Sequence, residues 1–180
     1  MHSKWKLGGI LICLVAGLAS VAIIQAVSQG ANSLRQGNQR TDARRNPKSG
    51  QFVIAKDVEI KVDDFGTSRR LSDPPTTGAK QLTVIDVNLD PGKGHNFHKH
   101  SDQEEVVLVV AGKVEQWIDR EKRILGPGDS AFIPADVVHA SFNAGDQVAT
   151  IIVTLGPCVG PTGYELVNVA NDAPWKTLRK

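Results

Sequence analysis

Cysteine is nearly absent: two residues, Cys13 and Cys158, in a chain of 180. A disulfide scaffold is therefore excluded, and stability has to come from a buried core. Aromatics make up 5% and there is a single Tyr, so Val and Ile dominate the apolar set. Beyond residue 27 no stretch keeps a 3.6-residue period for three turns, which excludes a helical bundle. Excess positive charge is also missing from the body. Residues 1–50 hold 7 Lys+Arg against 1 Asp, and residues 51–180 hold 14 against 18 acids, a balance of −4. A slightly acidic body lacks the footprint that phosphate neutralisation requires, so nucleic acid is not an expected partner.

What is present begins with an address. Residues 1–6 form a short basic head, and residues 7–27 follow without a charge, long enough to cross hydrocarbon as a helix. Ala26 and Ser28 give a pattern a signal peptidase could use, whereas the length of the run suits an uncleaved anchor. Residues 1–28 thus read as a signal peptide or membrane anchor, and export or membrane anchoring is the expectation. Arg35, Arg40, Arg44 and Arg45 outnumber Lys4 and Lys6, which opposes it for a retained helix by the positive-inside rule. Residues 29–50 are polar and read as a disordered tether. Any contact with a membrane is expected through the N-terminal segment alone.

Residues 51–180 read as one all-β domain. Short β-branched runs at 52–55, 58–62, 82–89, 106–110, 114–118, 130–133, 137–142 and 148–155 are bounded by turn residues. So many strands in so short a chain imply a sandwich or barrel. Residues 66–79 and 156–163 are the long irregular segments; both read as surface loops, with cover of a barrel mouth as the alternative. Cys158 reads as a small buried apolar residue rather than a partner in an intermolecular disulfide.

The chemistry is concentrated in residues 91–112. His98 and His100 are two apart in an expected strand, so both project from one face with Cα atoms about 6.5–7 Å apart, while Phe97 and Lys99 point away. Glu105 would face the wrong side of an unbroken strand, so Ser101, Asp102 and Gln103 must turn or bulge to return its carboxylate. Val107 and Val109 then continue toward the core. His139, after Pro134, is the distant fourth candidate. A lone buried His is commonly a hydrogen-bonded core residue, but three imidazoles and an acid in a dry interior are costly without a shared partner.

These residues resemble the cupins, whose first motif, G-x5-H-x-H-x4-E-x6-G, is met by Gly92, His98, His100, Glu105 and Gly112. The second, G-x5-P-x-G-x2-H-x3-N, is met by Gly128, Pro134, His139 and Asn143, with Asp136 where Gly is usual. One pair of motifs, a core at 92–143, resembles a monocupin of the quercetinase-like kind. The resemblance implies a double-stranded β-helix, a jelly-roll barrel, here preceded by an N-terminal hydrophobic helix. It implies one divalent transition metal (Fe, Mn, Ni, Cu or Zn) on His98, His100, Glu105 and His139, and a homodimer as one assembly. Spacing to Gly112 selects Glu105 over Glu104, which is left on the solvated side. His95 matches no ligand position and reads as a loop or pocket-rim residue.

An octahedral ion so held keeps two positions for a small chelating substrate. Three functions follow: a dioxygenase-like oxidoreductase, the first expectation; a metal-assisted lyase, decarboxylase or sugar isomerase; or a module that binds a metal or small ligand without turnover. No catalytic residue is identified, and Glu115, Gln116 and Trp117 are possible cavity-wall residues.

Overall fold

The computed structural model describes residues 50–179. Eleven strands and one short helix make up the domain: β1 (Lys61–Asp63), β2 (Gly66–Ser72), α1 (Pro74–Thr77), β3 (Thr83–Leu89), β4 (Gly94–Lys99), β5 (Glu104–Ala111), β6 (Val114–Ile118), β7 (Glu121–Leu125), β8 (Ser130–Ile133), β9 (His139–Asn143), β10 (Ala149–Gly156) and β11 (Val167–Asn168). They form two antiparallel sheets, a six-stranded β1-β2-β3-β10-β5-β8 and a five-stranded β11-β4-β9-β6-β7. The fold is the expected all-β, jelly-roll barrel.

Alternation of side chains fills the barrel. Along β5 the odd positions Glu105, Val107 and Val109 are buried, while Glu104, Val106 and Leu108 are exposed. The inward residues Ile85, Val87, Leu89, Ile151, Val153 and Leu155 complete an apolar core with Val114 of the facing sheet. A second cluster, Phe97, Trp117, Ala140 and Phe142, lies on the outer side of the five-stranded sheet, covered by the C-terminal segment through Val169, Trp175 and Leu178. Glycine is required in the motif turns: Gly92, Gly112 and Gly128 all have positive φ, and a Cβ on Gly112 would stand 2.8 Å from the Ala149 backbone.

Several expected elements change. Residues 52–55 do not form a strand; with no neighbour beyond β1 to pair them, they run irregularly into a 3-10 turn, and Phe52 is 98% exposed. Residues 66–79 are not an irregular loop but β2 followed by α1, capped by the Asp73 carboxylate accepting from the Thr76 N–H at 2.7 Å. Its polar run GTSRRLS hid the strand, because Ser68 and Arg70 face a cavity rather than the core. The charged edge strand β7 pairs with β6 across a turn in which Asp119 takes φ 51°. Cys158 is half-buried rather than fully buried, with its sulfur 3.6 Å from the Thr83 hydroxyl. The hydrophobic helix expected at residues 7–27, the signal or anchor and the tether lie outside the described residues. Among the described residues no helix is long and apolar enough to cross a membrane.

Candidate metal centre

Antiparallel pairing brings distant motif residues together. In the β4–β9 ladder His98 lies directly opposite His139, so both imidazoles leave the inner face of the five-stranded sheet side by side, with ring centroids 4.2 Å apart. His100 follows β4 at the start of the Ser101–Asp102 turn, and β5 then returns along the facing sheet with Glu105 inward. The expected turn is thus present, and it delivers the carboxylate. One donor atom from each of His98, His100, Glu105 and His139 lies within 4.8 Å of the others, and all four residues are buried. Glu104 is exposed, as its opposite parity requires.

The second nitrogen of every ring is held by the backbone. Nδ1 of His98 meets the Asn96 carbonyl at 2.6 Å, Nδ1 of His139 meets the Val137 carbonyl at 3.0 Å, and Nδ1 of His100 meets the Glu165 carbonyl. A carbonyl only accepts, so each Nδ1 carries the proton and each neutral ring turns the Nε2 lone pair inward. Those lone pairs meet a carboxylate: Glu105 Oε2 is 2.9 Å from His100 Nε2 and 3.1 Å from His139 Nε2. Despite that closeness His100 Nε2 is buried without an aligned hydrogen-bond partner. Lone pairs packed this tightly repel unless a cation stands among them. Three imidazoles and one carboxylate are a donor set that first-row divalent ions accept, so the residues fit the implied metal.

The electrostatics of the four side chains agree. Burial acts to raise the Glu105 carboxyl, but its contacts with His100 and His139 prevail and hold it well below the usual carboxylate range. Burial acts to lower His139, yet the Glu105 carboxylate raises it above the ordinary imidazole value. His98 is pushed well down by burial and by neighbouring imidazoles. The Glu105 carboxylate therefore favours a proton on the facing His139 nitrogen.

Beside the donors opens a cavity of about 310 Å³, with Ile85, Val87, Ile151, Val153 and Phe65 on its apolar side and His98, His100 and Glu105 on its polar side. His95 lies on strand β4 rather than in a loop, and it lines this cavity, packing 4.1 Å from the His98 ring, with burial pulling its pKa down to about 4. It is not one of the clustered donors. Of the three expected wall residues only Gln116 faces inward, where its side-chain oxygen accepts from Ser141 at 2.6 Å. Glu115 and Trp117 take the opposite parity on β6, Trp117 in the outer cluster and its indole N–H donating to Glu115 at 2.9 Å.

The segment after β10 also corrects its reading as a plain surface loop. Gln103, 2% exposed, donates to the Pro157 and Gly163 carbonyls at 2.7 and 3.0 Å and accepts from the Glu165 N–H at 3.1 Å, drawing this segment over the centre. Tyr164 and Leu166 line the cavity as a result. Tyr164 and Arg70 were missed by sequence reading, and Gln103 was read only as part of a turn. No spacing marks them, because a long connection and a polar strand bring them in. Asp136, the departure from the second motif, takes the left-handed φ of 63° that the usual Gly would, and Lys99 meets its carboxylate at 2.6 Å. Asn143 is a structural clamp, donating to the Leu89 and Gln147 carbonyls and accepting from the Gly145 N–H.

Comparison with known proteins agrees with this geometry. The family Cupin_2, described as "Cupin domain", matches residues 85–155. Protein SchB of Streptomyces halstedii is 36% identical over 110 residues, which are 61% of this chain and 80% of that protein. This chain belongs to the cupin superfamily. Quercetin 2,3-dioxygenase of Bacillus subtilis is 45% identical over 56 residues, 30% of this chain but 17% of that enzyme. The structure of the polyketide cyclase RemF from Streptomyces resistomycificus has a TM-score of 0.56 at 21% identity, covering 72% of this chain and 98% of that one, a likeness of fold.

Proposed function

We propose that this cupin is a metal-dependent enzyme acting on a small, oxygen-rich chelating substrate, and that its chemistry is dioxygenase-like oxidation. The observation that carries the reading is the buried His98–His100–Glu105–His139 quartet opening onto an apolar cavity. A divalent transition metal held there would supply Lewis acidity and, if redox-active, a route to dioxygen. The short, high-identity match to quercetin 2,3-dioxygenase supports the redox branch.

The residues of the chain have definable tasks. Backbone carbonyls at Asn96, Val137 and Glu165 fix the three rings in the Nδ1–H tautomer, so no reorganisation is needed to present Nε2. Glu105 stays ionised and offsets one unit of cationic charge. Ile85, Val87, Ile151 and Val153 exclude water from the substrate face, which strengthens every charge interaction there.

The experiment is dioxygen uptake by protein reconstituted separately with Fe, Mn, Ni, Cu and Zn, against a panel of catechols and flavonols. Stoichiometric uptake with a redox-active ion supports the reading. Product formed under strict anaerobiosis would instead support the second reading, metal-assisted proton transfer as in a lyase, decarboxylase or isomerase. His95 favours that second reading, since it places an uncharged imidazole in the cavity wall beside His98. Saturable binding without product would leave a ligand-binding module.

We also infer from the basic head and the uncharged run at residues 7–27 that the domain works outside the cytoplasm or at a membrane. Fractionation of cells producing the full chain tests this, and full recovery in the soluble cytoplasmic fraction overturns it.

A further inference from the structure

The cavity contains a cation that the protein does not neutralise. Arg70 extends from β2 into it, and its guanidinium lies 4.7 Å from the centroid of the Tyr164 ring. The same ring stands 5.1 Å from the imidazole of His100, so guanidinium and metal-centre histidine sit against one aromatic side chain. Nη1 of Arg70 is buried and has no hydrogen-bond partner.

Nearby acids are committed elsewhere. Asp86 takes Arg69 at 2.6 Å, Asp63 in the cavity lining is offset by Lys61 of the same lining at 2.7 Å, and Glu105 lies between His100 and His139. Among the described residues Arg70 makes no ion pair. Stacking on Tyr164 satisfies the face of the guanidinium but not its in-plane N–H groups, which remain shaped for an oxygen pair. A buried, charged donor without an acceptor is costly, and proteins keep such groups chiefly where a ligand provides the missing oxygen.

Charge points the same way. A divalent ion on three neutral imidazoles and Glu105 leaves one positive charge, and Arg70 adds a second within the same cavity. An anion gains from both, more so beside the apolar Ile85, Val87, Ile151 and Val153 than in open water. Arg69, Arg70's neighbour, has the opposite parity and an ion pair, so the sequence alone does not separate the two roles.

We propose that Arg70 recognises the carboxylate of a small two-headed substrate whose other end, two adjacent oxygens, reaches the His98–His100–Glu105–His139 centre. The class is thus a catechol-like or enolic acid rather than a neutral polyphenol. The assignment rests on the reading of that centre as a metal site, and its test separates the two.

Zinc-loaded protein, which is redox-inert, is titrated calorimetrically with catechol, protocatechuate and protocatechuate amide. Catechol carries only the chelating oxygens, protocatechuate adds a carboxylate, and the amide keeps its shape without the charge. Protocatechuate is expected to bind about 10- to 100-fold more tightly than either, the worth of one charge-assisted hydrogen-bonded contact. In Arg70→Gln that preference disappears while catechol affinity and zinc content stay unchanged, and Arg70→Lys retains part of it. The comparison of acid with amide in the unaltered protein needs no variant, so it holds even if Arg70→Gln misfolds.

Equal binding of acid and amide, or an acid preference that survives in Arg70→Gln, overturns the assignment. Failure of catechol to bind, or of zinc to be retained, overturns the metal-centre reading instead. In that event benzoate against benzamide on metal-free protein reads Arg70 by itself: a preference for benzoate that Arg70→Gln abolishes upholds the anion site, and none removes it.

Discussion

Two histidines share the cavity and differ in what surrounds them. His139 is clamped by the Val137 carbonyl with Nε2 against Glu105, whereas His95 lies outside the donor cluster. Truncating a ligand opens the shell to water; altering a wall residue leaves it closed. In His139→Ala, metal retained after dialysis against a weak chelator should therefore fall at least about tenfold, the lower end of what even outer-shell losses cost. His95→Asn should retain the wild-type metal content, read by elemental analysis of both. Equal metal in His139→Ala and wild type would remove His139 from the ligand set. Three of the four clustered donors were legible from short-range rules, since His98 and His100 share a face by parity and Glu105 returns through the Ser101–Asp102 turn, whereas His139 rests on the second motif. His95 fits no motif position and shares the parity of Phe97, which points away; an irregularity in the β4–β9 register between His95 and His98 is what brings it to the wall. Arg70 and Tyr164 obey no such rule. One depends on which face of a polar strand turns inward, the other on where a long connection comes to rest.

At the scale of elements, most strands were readable, and two rich in polar side chains were not. Residues 114–118 and 130–133 coincide with β6 and β8. β2 and β7 were hidden, since GTSRRLS and EKRIL put Arg, Ser or Lys where alternation is sought. The segment 156–166 depends on tertiary contacts that only the folded chain supplies, and Gln103 is its anchor. Gln103→Ala would leave the Pro157 carbonyl and the Glu165 N–H without their buried partner, while the Gly163 carbonyl keeps the Thr83 hydroxyl at 2.7 Å. Each such loss costs about 1–3 kcal/mol, less where water enters, so we expect destabilisation of at least about 2 kcal/mol in urea. Because the Glu165 carbonyl orients His100, metal affinity should fall as well, by about 10- to 100-fold. Gln103→Glu keeps the acceptor for the Glu165 N–H but sets a carboxylate against two carbonyls, and should be no better. A Gln103→Ala protein with wild-type metal affinity would detach the segment from the centre.

For the molecule as a whole, the buried imidazoles make stability depend on pH in two opposed ways. An imidazole in the unfolded chain titrates near about 6.5. His95, at about 4 when folded, and His98, also lowered, are neutral in the native protein and take up protons on unfolding at acid pH. Their contribution is present above about 6.5 and is lost as pH falls toward about 4, a loss that the depressed Glu105 carboxyl reinforces below its unfolded value. His139 has the reverse sign. Its folded value is raised by Glu105, so its stabilisation is complete below about 6.5 and disappears as pH rises through the folded value. Metal-free protein should thus show a melting temperature with a maximum near about pH 6.5 and a decline on either side. Metal steepens the acid limb and removes the alkaline decline, because binding displaces the His139 proton and strengthens as protons become scarce. With zinc bound, the melting temperature should keep rising or level off above about pH 6.5, so that the two curves diverge with pH. Thermal melts of both forms from about pH 4.5 to about 8.5 measure this directly. Parallel curves would mean that metal does not replace the proton held between His139 and Glu105, and hence that the four side chains close on a hydrogen-bonded core instead of a cation.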